Sequence, residues 1–600
     1  MNRFFLEVQK SVCGRAWRDR LDERGTARAL SMTQRHNVSE LLARVLAGRD
    51  VAIDDVDEFL DPTVRRLMPD PDVLTDMPAA AARIADAVEK AEQIAIFGDY
   101  DVDGATSAAV LAKFLRLAGR EPLIHIPDRL FEGYGPNTPA VESLAERGAK
   151  LLVTVDCGTT SLEPLARAKE LGLDTVIIDH HQADETLPPA VAVVNPNRLD
   201  DLSGLGHLAA VGLVFITVVA VNRELRKRGF WHVLRPEPDL LDLIDLVALG
   251  TVADVVPLKG LNRAFVSKGL IAMRTRNHVG LTALMDASRL TGPPECWHLG
   301  FLLGPRINAG GRIGRADMGV RLLLETEPTE AAAMAAELDR LNRERQMIEQ
   351  QTVAEAEAEA MAALGLEEKG AVVVTAGHGW HPGVVGLVAA RLKERYGRPA
   401  FAIALEPGGI GTGSGRSIPG VDLGAAVREA VHIGLLTKGG GHAMAAGVTL
   451  VPDKLADFRA YLEETLSGSV EAARHEDSLL IDGALTAAGA NVALYADIAR
   501  AGPFGAGQTE PVFAFPSHTI AYAEEVGQAH VRARLRAGDG TMINAIAFRS
   551  AGKPLGKALL DNRGRNVHAA GTLSIDRYQG EERLQFRVMD IATTDPVTAR

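Results

Sequence analysis

The chain has 600 residues, of which 46% are hydrophobic and 24% charged, and a chain of this length has room for about four domains. This composition excludes collagen-like and disordered classes, and three widely spaced cysteines exclude a disulfide framework or a zinc ribbon. The net charge of −13 argues against indiscriminate adhesion to nucleic acid. Because the N-terminus is charged and no long apolar run occurs, we expect a cytoplasmic protein that does not associate with membranes.

The chain begins with a predicted helical segment over residues 1–78, which contains VSELLARVLAG and DVDEFL and ends in a proline-rich stretch. Over residues 79–325, apolar runs such as QIAIFG, LLVTV and DTVII alternate with helical segments. This alternation predicts an α/β domain with a mostly parallel, doubly wound sheet. In such sheets, ligands bind at the carboxyl ends of the strands.

A long helix is predicted next, because residues 329–364 contain neither Gly nor Pro. At 1.5 Å per residue it spans about 54 Å, which is too long for a simple core helix. We therefore interpret residues 326–365 as a connector to a second α/β lobe at 366–470, which is glycine-rich in its predicted loops.

Short alternating strands over residues 475–600 predict a small β-barrel, most plausibly an OB-fold. From residue 520 onwards, Lys and Arg outnumber Asp and Glu by 12 to 9, in an otherwise acidic chain. Three arginines alternate along one predicted strand and so share one face, and three aromatic residues nearby are candidates for base stacking or for the core. These residues are Arg532, Arg534, Arg536, Phe548, Tyr578 and Phe586.

Acidic and imidazole residues follow successive apolar segments, at the point where each predicted strand ends. They are Asp99, Asp101 and Asp103 after IAIFG, Asp156 after LLVTV, Asp179, His180 and His181 after TVII, and Asp254 after LLDLIDLVALG. Each residue alone could merely cap a turn or lie in the core. Together, crowded carboxylates repel one another, and divalent cations supply the missing positive charge. Oxygen ligands with some imidazole favour Mn²⁺ or Mg²⁺, and two such ions form the usual clamp for phosphoryl hydrolysis.

Later motifs carry groups that are suited to phosphate. Arginine matches phosphate oxygens in a bidentate manner, and glycine lets backbone N–H groups approach an anion, although a glycine cluster is more often just a turn. The candidates are Arg306, Asn308 and Arg312 around a glycine-rich turn, Ser414 and Arg416 in GSGRSIPG, and Gly440, Gly441 and His442 in GGGHAMAAG. The chain contains no P-loop and no HExxH, and its DxDxDG lacks the glutamate of an EF-hand loop.

The motifs GDYDVDG, DCG, DHH and GTVADVVPL resemble, in this order, the signature motifs of the DHH phosphoesterase superfamily. GPRINAGGRIG, GSGRSIPG and GGGHAMAAG resemble the RecJ branch of that superfamily, with its DHHA1-type second domain and its OB-fold domain. The resemblance implies a 5′–3′ exonuclease specific for single-stranded DNA, which uses Mn²⁺ or Mg²⁺, as two ions, in DNA recombination and repair.

The resemblance also assigns roles to individual residues. It implies that Asp99, in either a ligating or a supporting place, takes part in catalysis with His181, which faces the scissile phosphate. It adds Arg129, in IPDRLFEGYG, to the phosphate- and DNA-binding candidates. The implied metal ligands are Asp101, Asp103, Asp156, His180 and Asp254.

Two alternatives remain open. Other DHH hydrolases cleave oligoribonucleotides or cyclic dinucleotides, but they typically lack this OB-like tail and the N-terminal helical segment. A non-catalytic DNA-binding scaffold is expected to have lost carboxylates that are all present here. For the leading hypothesis, the expected partners are single-stranded DNA and, from the resemblance, a single-strand-binding protein and a RecQ-type helicase.

Overall fold

The computed structural model of the protein describes residues 3–129, 131–365, 369–475, 478–527, 529–576 and 582–594. The chain forms two compact units. The α/β unit contains residues 64–257 and 261–476, and the terminal unit contains residues 1–63, 258–260 and 477–600. This division differs from the helical segment expected over residues 1–78, because most of that segment belongs with the C-terminal tail.

The N-terminal elements of the terminal unit are one strand and three helices. They are β1 (Ala16–Asp19), α1 (Glu23–His36), α2 (Glu40–Ala47) and α3 (Val56–Leu60). Side-chain caps begin the two longer helices: Asp22 accepts a hydrogen bond from the backbone N–H of Gly25, and Ser39 accepts one from that of Leu42.

The first lobe of the α/β unit alternates helices with short strands. Its elements are α4 (Val64–Leu67), α5 (Met77–Glu89), β2 (Ile94–Gly98), α6 (Val102–Leu117), β3 (Leu123–His125), α7 (Thr138–Glu146), β4 (Leu151–Val155), α8 (Leu162–Glu170), β5 (Asp174–Ile178), β6 (Ala192–Val194), α9 (Ala210–Lys227), α10 (Ile244–Ala253), α11 (Gly260–Ala272), α12 (Val279–Ala287), α13 (Cys296–His298), α14 (Gly304–Ile313) and α15 (Met318–Leu324). The five strands form a wholly parallel sheet in the order β3-β2-β4-β5-β6. β2 and β4 are buried along their whole length, as their continuous apolar runs require, and the predicted sheet is confirmed.

One continuous helix, α16 (Pro328–Leu364), follows this lobe. Its 37 residues span about 55 Å. In its first half, Asp339 accepts a hydrogen bond from Arg306 of the first lobe, and in its second half Glu355 accepts one from the indole N–H of Trp380 in the second lobe. The helix therefore contacts both lobes, which confirms the predicted connector.

The second lobe has a five-stranded mixed sheet. Its elements are β7 (Val373–His378), α17 (Val385–Tyr396), β8 (Ala400–Leu405), β9 (Gly411–Arg416), α18 (Leu423–His432), β10 (Lys438–His442), β11 (Ala445–Leu450) and α19 (Leu455–His475), with strand order β10-β11-β9-β8-β7. The glycine-rich motifs that were predicted to be loops are strands β9 and β10. On β9 the glycines make room for neighbouring side chains: a Cβ at Gly415 would lie 2.4 Å from the ring of Phe401, and one at Gly413 would lie 2.6 Å from Ile403.

The C-terminal part of the terminal unit is a closed barrel. Its elements are β12 (Ser478–Ile481), β13 (Gly483–Ala484), α20 (Val492–Ala499), β14 (Phe513–Val526), β15 (His530–Arg536), β16 (Met542–Ala547), α21 (Pro554–Asp561), β17 (Asn566–Asp576) and β18 (Arg583–Thr593). β14, β15, β16, β18 and β17 pair in this order, and the pairing of β14 with β17 closes the barrel, as predicted.

The N-terminal segment is part of the barrel's own core. β1 pairs with β12 in parallel, and the indole N–H of Trp17 donates to Asp590 on β18 at 3.1 Å. Met32 and Leu46 from the N-terminal helices lie in one hydrophobic core with Phe515 of the barrel. No sequence pattern indicated this pairing, because the two segments lie at opposite ends of the chain. Among the described residues, no helix is long and apolar enough to cross a membrane.

Candidate active site

The carboxyl ends of three strands in the first lobe lie level with one another. Gly98, Val155 and Ile178, the last residues of β2, β4 and β5, are cross-strand partners in register. The residues that follow these strands therefore emerge at one edge of the sheet. They include Asp99, Asp156 and the run from Asp179 to His181, so the structure brings these predicted site residues together.

The first motif places two further carboxylates at the start of α6. Asp101 caps the helix by accepting a hydrogen bond from the N–H of Gly104 at 3.1 Å. Asp103 accepts hydrogen bonds from the N–H groups of Ala210 and Val211, at 2.7 and 2.9 Å, and is thereby tied to the first turn of α9. Gly104 is required by this packing, because a Cβ there would lie 2.4 Å from the carbonyl oxygen of Asp99.

His180 has its ring fixed by the backbone. Its Nδ1 lies 3.0 Å from the carbonyl oxygen of Leu208, and because a carbonyl only accepts, Nδ1 carries the proton. Nε2 is then an unprotonated nitrogen, which lies 3.3 Å from Asp156, 3.8 Å from Asp254 and 4.0 Å from Asp103. A histidine whose other nitrogen is held in this way is preorganised as a metal ligand.

Asp254 reaches the cluster by a different route from the one expected. The apolar segment before it was expected to be a strand, but it is the buried helix α10, and Asp254 caps the C-terminal end of that helix. Gly250 allows this helix to pack against α6, because a Cβ there would lie 2.2 Å from the hydroxyl oxygen of Thr106 and 3.2 Å from Asp103. An all-apolar buried helix and a buried strand have the same sequence pattern, which is why the two were confused.

The cluster has the electrostatics of a cation site. Burial, reinforced by neighbouring carboxylates, raises the pKa of Asp99, Asp156 and Asp254 well above the usual range, and that of Asp103 to about 7. One buried oxygen on each of Asp99, Asp156 and Asp254 has no hydrogen-bond partner among the described residues. Buried oxygens are normally satisfied, so these atoms fit a divalent ion that would accept them as ligands.

In the part of the chain that the structure describes, three groups of side chains could each hold an ion, and the ligand atoms of each group lie within 4.8 Å of one another. Asp156 belongs to two of the groups, and so does His180, so neighbouring ions could share ligands. The groups are Asp99 with Asp101 and Asp156, Asp103 with His180 and Asp254, and Asp156 with His180 and His181.

Asp179, which the sequence places among the strand-end residues without a specific role, and Tyr134, which no motif indicated, hold His181 in place. Its Nδ1 lies 2.8 Å from a carboxylate oxygen of Asp179 and 3.0 Å from the hydroxyl oxygen of Tyr134. Burial lowers the pKa of His181, but the hydrogen bond and charge of Asp179 outweigh that effect, so the pKa is raised overall. Asp179 stands between β5 and the two histidines, and that position was the available signal; Tyr134 is distant in sequence and carried none.

Three predicted arginines lie close together beside the acidic cluster, where the two lobes of the α/β unit meet. The Arg312 guanidinium donates to the carbonyl oxygen of Gly383 at 2.9 Å, and Arg129 lies over the ring of Tyr100. Burial, together with the charges of Arg129, Arg345 and Arg416, lowers the pKa of Arg312 to about 10. These positive charges repel one another, and a bound anion such as a phosphate would offset that repulsion.

Ser414 and Arg416 lie on the same face of β9, at the N-terminus of α17. A Cβ at Gly386 in the first turn of that helix would lie 2.9 Å from the Arg416 guanidinium and 3.4 Å from the Ser414 hydroxyl. The register also places Gly440 level with Ser414 across β11, and a Cβ at Gly440 would meet nothing within 4 Å. The strand surface beside Ser414 is therefore smooth and open.

The remaining phosphate candidates lie apart from this group or have other partners. The segment from Arg306 to Arg312 is the helix α14 and not the predicted turn, and Arg306 pairs with Asp339. Asn308 is half-buried on the same helix, and Gly441 and His442 lie on the exposed strand β10.

In the barrel, the three arginines of β15 are all exposed, and Arg534 is the cross-strand partner of the exposed Tyr522. Arg532 pairs with Glu524. Phe586 is fully buried in the core, Phe548 is exposed, and Tyr578 lies outside the described residues.

Three family models match the chain. They are the DHH family N-terminal domain over residues 93–251, the DHHA1 domain over 368–468 and the RecJ OB domain over 481–590. A parallel sheet with a carboxylate and imidazole cluster at its strand ends, followed by a DHHA1 domain, defines a protein of the DHH class.

Full-length comparisons narrow this class. The single-stranded-DNA-specific exonuclease RecJ of Dickeya dadantii (strain 3937) is 36% identical over 563 residues, which cover 91% of this chain and 95% of the relative. The crystal structure of RecJ from Thermus thermophilus in complex with Mn²⁺ matches with a TM-score of 0.78 and 29% identity, over 97% of this chain and 80% of that chain. Its complex with Mg²⁺ matches with a TM-score of 0.71 and 27% identity, over 97% and 79% of the two chains. The chain belongs to the RecJ family, and the resemblance seen in the sequence is confirmed.

Proposed function

We propose that this chain is an exonuclease that hydrolyses phosphodiester bonds of single-stranded DNA from the 5′ end with two divalent metal ions, in DNA recombination and repair. The observation that carries the proposal is a cluster of carboxylates, three of which have an unpartnered buried oxygen, beside three half-buried arginines. Phosphoryl hydrolysis needs this combination, because cations polarise the phosphate while guanidinium groups hold its oxygens. The name of the Dickeya relative describes an exonuclease specific for single-stranded DNA, which supports that part of the proposal.

The proposed cofactors are Mn²⁺ or Mg²⁺, which the two Thermus structures contain. When bound, two such ions polarise the scissile phosphate and activate a water molecule for attack. Asp99 supports the site from the end of β2, close to the other two carboxylates of its group. The ligands that we assign are Asp101, Asp103, Asp156, His180 and Asp254.

His181 acts on the phosphate through its free nitrogen. Because Asp179 accepts a hydrogen bond from Nδ1–H, the ring is oriented with Nε2 directed away from the carboxylate. The raised pKa favours an imidazolium, which donates to a phosphate oxygen or returns a proton to the leaving oxygen. Asp179 and Tyr134 are positioning residues in this scheme, since both act through His181.

The arginine group determines that degradation starts from the 5′ end of the strand. We assign the terminal 5′-phosphate to a pocket formed by Arg129, Arg312, Arg416 and Ser414, where the N-terminus of α17 adds backbone N–H groups. A site between two lobes that contact each other, as Arg312 contacts Gly383, favours a chain end over the middle of a strand. The smooth strand surface at Gly440 and Gly441, next to His442, lets the backbone of the strand approach closely. Arg306 and Asn308 remain candidates for DNA contact from α14.

The barrel binds the strand without regard to sequence. Exposed arginines on β15 neutralise phosphates, while exposed side chains such as Tyr522 and Phe548 offer stacking surfaces.

We propose five parts for the chain, with boundaries at 1–78, 79–325, 326–365, 366–470 and 475–600. The first part packs with the last. A cytoplasmic location, and association with a single-strand-binding protein and a RecQ-type helicase, complete the proposal; co-purification with each partner tests the last point.

A single assay tests the activity. End-labelled single-stranded and duplex DNA, with a 5′-phosphate or a 5′-hydroxyl, are incubated with the protein and Mn²⁺, Mg²⁺ or EDTA. We expect stepwise release of mononucleotides from the 5′-phosphorylated single strand, and none with EDTA. The same assay with an oligoribonucleotide and a cyclic dinucleotide tests the first alternative, since a preference for either would contradict the proposal. Strand binding without cleavage under every metal condition would indicate the scaffold.

A further inference from the structure

Two large aromatic side chains lie exposed on the helical segment that leads into α14. Trp297 is 44% exposed and Phe301 is 78% exposed, although side chains of this size normally supply core packing. Trp297 is held in one orientation, because its indole N–H donates to Glu295 at 3.1 Å and its ring stacks on His298 at 3.8 Å. The two rings are therefore displayed to solvent on a fixed support, which is how a binding surface is preorganised.

This segment packs against the end of α10, next to the metal cluster. A Cβ at Gly300 would lie 3.6 Å from Val252, and one at Gly304 would lie 3.5 Å from Ala253 and 3.8 Å from Val102. Val252 and Ala253 immediately precede Asp254, and Val102 lies between two carboxylates of the first motif. Residues 299–303 form a π-helical turn, a distortion that is frequent at functional sites. The aromatic pair thus lies beside the elements that carry the proposed metal ligands.

The exposed face of this segment continues along α14 to the arginine group. Residues three or four apart share a helix face. At this spacing, exposed or half-buried residues form a continuous stripe from the aromatic pair to Arg312. Arg312 lies eleven residues beyond Phe301, about 16 Å along the axis. The opposite face is buried at Leu299, Leu303 and Ile307. The members of the stripe are Trp297, Phe301, Pro305, Asn308 and Arg312.

We infer that Trp297 and Phe301 form a platform on which bases of the single strand stack, on the side of the metal centre opposite the terminal phosphate. The inference rests on the proposed function, which places the 5′-phosphate at the Arg312 end of the stripe. A strand that runs from that end past the metal cluster reaches the aromatic pair within a few nucleotides. Stacking on aromatic rings tolerates every base, so the platform holds the strand in place while its sequence changes from one cleavage to the next.

The test compares two substrates of different length. We would measure kcat and KM of the full chain with Mn²⁺ on a 5′-phosphorylated 20-mer and on a 5′-phosphorylated dinucleotide, which is too short to reach the platform. For the double variant Trp297→Ala, Phe301→Ala we expect KM for the 20-mer to rise about thirtyfold and its kcat to change less than twofold. The kinetics on the dinucleotide should remain within twofold of wild type. Trp297→Phe should retain most of the affinity, and Leu234→Ala, which removes an exposed side chain from another loop of the lobe, should change neither substrate.

A second measurement shows that bases are what the platform contacts. Binding of 20-mers with one abasic site, at each of the second to the sixth nucleotides in turn, is measured with EDTA present. Wild type should lose about tenfold in affinity at one or two positions, and the double variant should lose less than twofold at all of them. An unchanged KM for the 20-mer in the double variant, or equal abasic profiles in both proteins, would overturn the inference. Absence of cleavage of either substrate by wild type would instead overturn the proposed function.

Discussion

The buried charges of the active site and the exposed charges of the barrel solve different binding problems. Asp156 is fully buried among other carboxylates, and Arg312 is half-buried close to other arginines, so each charge lacks compensation within its own group. The arginines of β15 lie in solvent, and one of them pairs with Glu524. Both regions are suited to binding a polyanion, and the acidic cluster of the active site is also suited to binding cations. Only the active site holds its charged side chains in a fixed geometry.

The contrast shows that buried charges determine which ligand is selected, whereas exposed charges determine how strongly a long strand is bound at a given salt concentration. A buried, uncompensated charge binds strongly where a ligand of opposite charge fits, and salt screens it little. An exposed charge contributes little to any one contact, and its contribution falls with ionic strength. We therefore expect the active site to determine which bond is cleaved, and the barrel to determine how long a strand remains bound.

The largest expected effect is the loss of activity when the buried cluster loses a ligand. His180→Ala and Asp103→Asn should each lower kcat on a 5′-phosphorylated single strand by about a thousandfold or more, because each tenfold corresponds to about 1.4 kcal/mol and a metal ion supplies several kcal/mol. Initial rates are measured with saturating Mn²⁺, and circular dichroism checks the fold. Near wild-type turnover in either variant would remove that residue from the metal site.

Arg416→Ala should come next. A hydrogen bond to a charged group is worth about 1.5–3 kcal/mol. In this variant, the kcat/KM for 5′-phosphate ends divided by that for 5′-hydroxyl ends should therefore decrease by about tenfold to a hundredfold. Arg395→Ala, an exposed arginine in the last turn of α17 that pairs with Glu357, is the control and should leave the ratio unchanged. Equal losses on both kinds of end would show that Arg416 does not contact the terminal phosphate.

The barrel arginines should change salt dependence more than activity. Replacing Arg532, Arg534 and Arg536 together by Ala should flatten the slope of log affinity against log salt by about 2 for a long oligonucleotide, since each phosphate contact contributes about 0.7. Cleavage at saturating substrate should persist. The substitution is preferable to removing residues 475–600, because the barrel shares its core with Met32 and Leu46 of the N-terminal helices. An unchanged slope would mean that β15 does not bind the strand.

The smallest expected effect concerns stability without metal. Asp156→Asn should raise the melting temperature in EDTA, because burial and neighbouring carboxylates raise the pKa of this group well above its usual range, so its charged form destabilises the fold. The same substitution should reduce the stabilisation that Mn²⁺ confers on wild type. Thermal melts with EDTA and with Mn²⁺ measure both changes, and a variant that is less stable than wild type in EDTA would contradict the proposed repulsion.

The sequence by itself determined the parallel sheet, the connecting helix and the barrel, and it predicted that the residues at the strand ends lie together. These features depend on local patterns: a buried strand is a continuous apolar run, and the residue that ends it is next in sequence. Since the carboxyl ends of parallel strands meet at one edge, Asp99, Asp156 and His180 could be expected to lie together before any coordinates were known.

Only the tertiary structure decided the features that depend on contacts between distant segments. It placed Asp254 at the end of a buried helix, joined the N-terminal segment to the barrel, and separated Arg312 and Arg416 from Arg306, which pairs with Asp339. It also showed that the glycine motifs, which were predicted to be loops, form strands β9 and β10. The physical reason is that helix packing and charge pairing are set by neighbours in space, and the periodicity of a single segment does not record which neighbours those are.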